Sequence, residues 1–329
     1  MKNIIKSTFA AAVLMTGASV VEAQSVKWDM ANEYGDQSIH AEGDKLFAKL
    51  VSEKTDGDIE ITLHFGASLG FRSKDQLDAV ADGAVPLADT FTGPLAGVHP
   101  IFQLSGLPFL TEDFDDARRL FDVARAEYEE VLEDNNQTLL WASPWPPAGI
   151  WAKEPILNAE SLANLKVRTY DQLGTITLKE AGASPIQLSW ADVVPQLSTG
   201  GIDAVLTSTE AGLSGQFDEL LSYYMPIAIG TPLNIATINN DVLNSLSDEH
   251  RAAVLEAAEE VSRNQWAIVG PRVQANFGRA QERGVTIESA FDDGYMDMLK
   301  ASGQAAIAVW LERAGDEGQA IIDAYAADN

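Results

Sequence analysis

Residues 165–208, LKVRTYDQLGTITLKEAGASPIQLSWADVVPQLSTGGIDAVLTS, constrain the fold more than any other stretch. A short β-like run, LKVRTY, leads into a helix-like segment and a turn at Gly182-Ala183-Ser184-Pro185. A second strand, a helix opened by Ser189 and a third strand, IDAVLTS after Gly200-Gly201, complete it. Strands alternating with helices predict α/β layers with largely parallel pairing. In such layers ligands bind in the crevice at the carboxyl ends of strands. Arg168 ends the first of these strands and is placed to grip an anion there.

The alternation extends along the chain. VKWDMAN, IEITLHF, VPLADTF and TLLWAS read as strands before PWPPAGIW; helices are expected over 38–54, from Ser73 and over 113–133. Ser73 with Gln76 three residues on predicts a capping box. After Pro155 the pattern restarts, and LNIATIN is a late strand. The longest helix signal runs over 247–282 with Ser247 as N-cap, and Pro271 should kink or split it. A last helix is expected over 293–314, with a shorter one after it. Two α/β runs divided near PWPPAG imply two lobes with a cleft between them, with Pro144, Pro146, Pro147 and Gly149 at the crossing.

A chain of 329 residues is long enough for two ordinary domains. Its 49 acidic residues outweigh 22 lysines and arginines, for a net charge of −27. That field repels nucleic acid and anionic membrane faces, so neither is an expected partner. An anionic ligand then needs a local cation, which raises the interest of each buried arginine. The chain has no cysteine, which excludes disulfides, thiolate metal sites and cysteine catalysis. Lys2 and Lys6, the apolar run FAAAVLMTGASVV and Val21-Glu22-Ala23 read as a signal peptide over residues 1–23. The mature chain is expected to begin at Gln24, in the periplasm, with no stable membrane insertion.

Catalytic patterns are lacking. His40, His64, His99 and His250 show no metal-ligand spacing. There is no Gly-x-Ser-x-Gly elbow, phosphate loop or dinucleotide fingerprint; GASLG at 66–70 resembles the elbow only loosely. The paired acids Asp115-Asp116 and Asp292-Asp293 read as helix-start or turn residues. No cofactor and no metal site is predicted, and the chain is not expected to be an enzyme.

Several segments, in order, carry a family likeness: ASLGFRSKDQLDAVADGAVPLADTFTGPLAG, FQLSGLPFL, SLANLKVRTY and GASPIQLSWADVVPQLSTGGIDAV. Together they resemble the extracytoplasmic solute-binding proteins of TRAP (tripartite ATP-independent periplasmic) transporters, of the dicarboxylate-binding DctP type. The resemblance implies a two-lobed α/β periplasmic binding protein with a hinge and a long helix spanning the lobes. It divides the chain into 24–148 plus 233–272, and 149–232 plus 273–329, the second lobe carrying Arg168. It implies a monomer that captures a small organic acid and delivers it to TRAP membrane subunits. A periplasmic ligand sensor, or a periplasmic enzyme, are the alternatives left open.

By the same resemblance Arg168 clamps the ligand carboxylate, a task suited to a planar guanidinium that keeps its charge. Trp190 falls where the family has a cleft-lining ring, and Thr207 and Ser208 where it has a polar ligand contact. Asn32 and Glu33 follow the first strand, where first-lobe contacts arise; Phe71 and Phe91 follow or end neighbouring strands. The second arginine that many sialic-acid and similar binders carry two residues after a glycine near the crossing is replaced by Trp151 after Gly149. With Trp145 and Tyr170, this predicts a cleft rich in rings and poor in positive charge, suited to a monocarboxylate with an apolar, aromatic or sugar-like body.

Overall fold

The computed structural model describes residues 26–327. The expected signal peptide and the start at Gln24 lie outside the described residues. The first lobe opens with strand β1 (Val26–Asn32), helix α1 (Ile39–Lys54), β2 (Ile59–His64), α2 (Ser73–Ala81) and β3 (Leu87–Phe91). Helix α3 (Phe114–Asp134) then leads to β4 (Gln137–Pro144). The chain crosses to the second lobe at β5 (Gly149–Ala152), followed by α4 (Ala159–Leu162), β6 (Val167–Thr169) and α5 (Gln172–Glu180). Next come β7 (Ile186–Gln187), α6 (Trp190–Thr199), β8 (Ala204–Thr207), α7 (Thr209–Ser214) and β9 (Tyr223–Met225). Strand β10 (Leu233–Asn239) returns to the first lobe, followed by α8 (Asn240–Asn244) and α9 (Asp248–Glu282). β11 (Thr286–Ile287) and α10 (Tyr295–Ala327) finish the fold.

The strand orders are β2-β1-β3-β10-β4 and β11-β9-β5-β8-β6-β7. The expectation of largely parallel pairing needs correction, because both sheets are mixed. β1 runs parallel to β2 and β3, but β10 runs antiparallel to β3 and β4. β6 runs parallel to β7 and β8, but β5 runs antiparallel to β8 and β9. The cause is the crossing. Strands β3, β4, β8 and β9 arrive at the cleft, whereas β5 and β10 leave it for the opposite lobe.

Local chemistry explains the helix starts. Ser38 caps α1 by accepting the Ala41 N–H at 3.1 Å, and α1 buries Phe47, Leu50 and Val51. The expected Ser73–Gln76 capping box does not form, since Ser73 is already helical. Instead the Glu33 carboxylate accepts the Ser73 N–H at 2.8 Å and Asp75 accepts the Arg72 N–H at 3.4 Å. Carboxylates suit the positive end of a helix better than an amide does.

Pro271 does not split α9, which runs unbroken for 35 residues. It carries Val254, Ala257 and Val261 into the core under the first sheet and Ala280 into a core of the second. Helix α10 breaks at Gly315, with φ 60° and ψ −148°, so the two expected terminal helices abut there. It starts in the second-lobe core at Tyr295 and Leu299 and ends among first-lobe residues, where Trp310 and Tyr325 join Phe102 and Tyr128. Among the described residues, no helix is long and apolar enough to cross a membrane.

Candidate functional site

Where strand ends of the two sheets face each other lies a narrow cavity. Tyr34, Phe91 and Trp145 close it from the first lobe. Arg168, Tyr170, Trp190, Thr207, Ser208 and Ala211 close it from the second, and the crossings add Pro146, Ala148 and Pro232. A wider recess adjoins it, sharing Arg168, Tyr170 and Trp190 and adding Glu33, Arg72 and Lys74.

The structure brings most of the sequence-predicted residues together. Arg168, Trp190, Thr207, Ser208, Trp145, Phe91 and Tyr170 share the inner cavity, and Glu33 lines the outer recess. Three candidates lie elsewhere. Trp151 is fully buried, packs with Phe217 and Tyr224, and donates its indole N–H to the Ser208 carbonyl at 3.1 Å. Phe71 packs against the small cluster around Ala79 and Val80. Asn32 donates to Asp44 at 2.8 Å and accepts the Tyr34 N–H at 2.8 Å, so its amide serves the scaffold. Tyr34, Ala211, Pro232 and Ala148 were missed, and Pro146 was read only as a crossing residue. Tyr34 stands just past the two residues singled out after β1, so the strand-end signal pointed at the right loop and stopped one residue short.

Arg168 is 3% exposed, yet among the described residues it makes no ion pair with a carboxylate. Its Nε and Nη2 both donate to the Leu188 carbonyl, at 3.0 and 2.9 Å, while Nη1 is buried without a hydrogen-bond partner. Its guanidinium carbon lies 5.8 Å from the Trp190 ring centroid. Burial pulls the guanidinium down to about 10, partly offset by Tyr34 and Glu33, so it stays charged at neutral pH. A buried donor left unpaired is costly. An arriving carboxylate would remove that cost.

The surroundings are neutral and ring-rich. Among the described residues lining the inner cavity, Arg168 alone bears a charged side chain. Tyr34 packs edge-on to Trp145 at 4.6 Å, and Phe91 edge-on to Tyr170 at 5.6 Å. Behind Trp145, 4.1 Å away, the His40 ring is driven down to about 3 by burial and stays neutral. Ser208 spends its acceptor on the Ala211 N–H at 3.2 Å as the cap of α7, which fixes its hydroxyl at the cavity wall. Beside Arg168, burial raises Asp171 to about 7 while its carboxyl caps Gly174 at 2.8 Å.

Potential metal ligands converge at His99, Glu127 and Glu317, none of which lines this cavity. There the His99 Nδ1 accepts the Ile101 N–H at 3.3 Å, so a neutral ring carries its proton on Nε2, 3.8 Å from Glu127. That atom faces the carboxylate as a donor, the reverse of a metal ligand.

Comparison with known proteins identifies the family. Residues 30–306 match the family model described as bacterial extracellular solute-binding protein, family 7. A solute-binding protein of Chromohalobacter salexigens is 25% identical over 295 residues, covering 89% of this chain and 88% of its own. A marine metagenome TRAP solute-binding protein, solved with co-purified pyroglutamate, is similar at 31% identity. It covers 92% of this chain and 99% of its own, with a TM-score of 0.86. The Bordetella pertussis receptor DctP7, which binds pyroglutamic acid, superposes with a TM-score of 0.88 at 26% identity, covering 92% and 99%.

Proposed function

Because the chain belongs to family 7 of the bacterial extracellular solute-binding proteins, we propose that it captures an organic monocarboxylate and hands it to TRAP membrane subunits. The observation that carries this reading is the unpaired Nη1 of Arg168, a lone cation at the wall of a ring-lined cavity. A carboxylate completes that guanidinium, and the rings of Tyr34, Trp145, Phe91 and Trp190 cover a compact, flat body. The single cation favours one carboxylate over two. Two similar proteins bind pyroglutamate, a small cyclic monocarboxylate.

In this reading the two sheets are the cores of two lobes, residues 24–148 plus 233–272 and 149–232 plus 273–329, with the end of α10 lying across onto the first. The open form presents Arg168. Tyr34, Phe91 and Trp145 then close over the bound acid, expelling water and strengthening the ion pair. The protein acts as a monomer outside the cytoplasm and performs no chemistry.

A thermal-shift and calorimetric screen of organic acids tests the proposal, since a tight ligand raises the melting temperature by mass action. L-pyroglutamate and related cyclic monocarboxylates are expected to stabilise the protein, and Arg168→Ala to abolish the effect. Stabilisation by dicarboxylates alone would overturn the monocarboxylate reading.

A further inference from the structure

Glu210 sits between two stretches of cavity wall, Ser208 and Ala211, yet its carboxylate is committed elsewhere. It is 2% exposed and accepts from two lobes at once. Its Oε1 takes the Ile39 N–H at 3.0 Å and the Arg272 Nη2 at 3.1 Å. Its Oε2 takes the Arg272 Nε at 2.9 Å and the Asn276 Nδ2 at 2.7 Å. Ile39 is the first residue of α1 in the first lobe, whereas Glu210 rides on α7 in the second.

The arrangement is a helix cap supplied across the cleft. The first N–H groups of a helix have no partner within it, and its positive end attracts a carboxylate. Ser38 satisfies Ala41, and Glu210 satisfies Ile39. Arg272, the last first-lobe residue of α9 in that division, repeats the bridge through its two bonds to Glu210, held on its own side by Glu42 at 3.0 Å and the Gln37 carbonyl at 3.1 Å. The next residue of α1, His40, holds its ring 4.1 Å from cavity-lining Trp145. The cap is therefore joined to both walls of the cavity. In the proposed hinge motion, parting the lobes at the cleft pulls Glu210 away from the Ile39 N–H.

We infer that Glu210 is a positioning residue for ligand retention: it locks the closed form by capping α1 from the opposite lobe, without touching the ligand. The inference rests on the binding function proposed above. Hydrogen bonds to a charged group of this kind correspond to a loss on the order of 10- to 100-fold when removed.

Glu210→Gln keeps the shape and removes the charge. Stopped-flow tryptophan fluorescence of the mature chain with L-pyroglutamate should show dissociation about 10- to 100-fold faster, with association changed less than about 3-fold. A second arm needs no ligand. The chain has no native cysteine, so Glu60→Cys and Lys179→Cys place one spin label on each lobe. Electron–electron resonance should show the short inter-label distances depleted in Glu210→Gln relative to the parent, with or without L-pyroglutamate. If L-pyroglutamate binds neither protein, the ligand assignment fails while the label distances still decide the role of Glu210. Identical distance distributions would overturn the inference, as would a lower melting temperature accompanied by an unchanged dissociation rate.

Discussion

Arg168 gives two of its N–H groups to one acceptor, the Leu188 carbonyl, at 3.0 and 2.9 Å. Leu188 lies two residues before Trp190, so one loop sets both the guanidinium and the ring beside it. The protein itself orients the fork, which on the proposed reading lowers the ordering cost of binding.

Arg168→Lys should therefore fail almost as badly as Arg168→Ala. A single ammonium cannot bond Leu188 and present a planar fork as well. Calorimetry with L-pyroglutamate should register a loss of about 100-fold or more, the scale of a buried charge-assisted pair. Wild-type affinity in the lysine variant would remove the fork from the site.

Trp190 lies 5.8 Å from Arg168, 5.9 Å from Tyr34 and 5.6 Å from Phe217, so its ring belongs to a stack that continues into the second-lobe core. Trp190→Phe should cost less than about 10-fold in affinity, and Trp190→Ala about 10- to 100-fold. Equilibrium fluorescence titration reports both. Equal losses would show that ring character is irrelevant.

At Gly212 a Cβ would run into the indole of Trp151. Since Trp151 is fully buried, Gly212→Ala should destabilise the fold by about 1–3 kcal/mol, read as a fall of several degrees in melting temperature. An unchanged transition would mean that α7 shifts freely, against its capped start at Ser208.

Buried acids predict the direction of the pH response. Burial raises Asp89 to about 6 and holds Asp44, its neighbour, well above the carboxylate range. Asp171 is raised to about 7. The folded chain then holds protons that the unfolded chain releases near pH ~4. This contribution is complete below pH ~4 and is lost as pH rises through about 6 and 7. Asp89→Asn, which retains an acceptor for Asn234, should flatten the fall in melting temperature over that window and raise it at pH 8. A slope identical to that of the parent would refute the assignment.

The ion pair between Arg72 and Asp192, 3.1 Å long, also spans the lobes, but its side chains are 37% and 49% exposed. Asp192→Asn should change affinity by less than about 5-fold, an effect erased by salt. A large salt-resistant loss would place this pair, and not the buried Glu210 cap, at the centre of closure.

Much of this was legible in the residues. Local rules located β1, the Ser247 cap, the long helix and Arg168 at a strand end, because each depends on neighbours in sequence. Strand direction was not legible at β5 and β10, because it depends on which lobe the chain has just left. Nor could sequence separate Trp145 from Trp151. One stands in the crossing and meets the cavity, while the other lies within β5 and faces the core. Pro271 was read as a possible break in a helix that tertiary packing keeps whole. The Glu210 cap left no sequence signature, since donor and acceptor are 171 positions apart.

The chain passes between lobes at 145–148, again at 226–232, and along both α9 and α10. A joint made of one tether swivels freely; one made of several side-by-side links bends about a common line and resists torsion. In the proposed binding cycle such a joint limits the jaws to a single swing and brings Arg168 to its target at one angle.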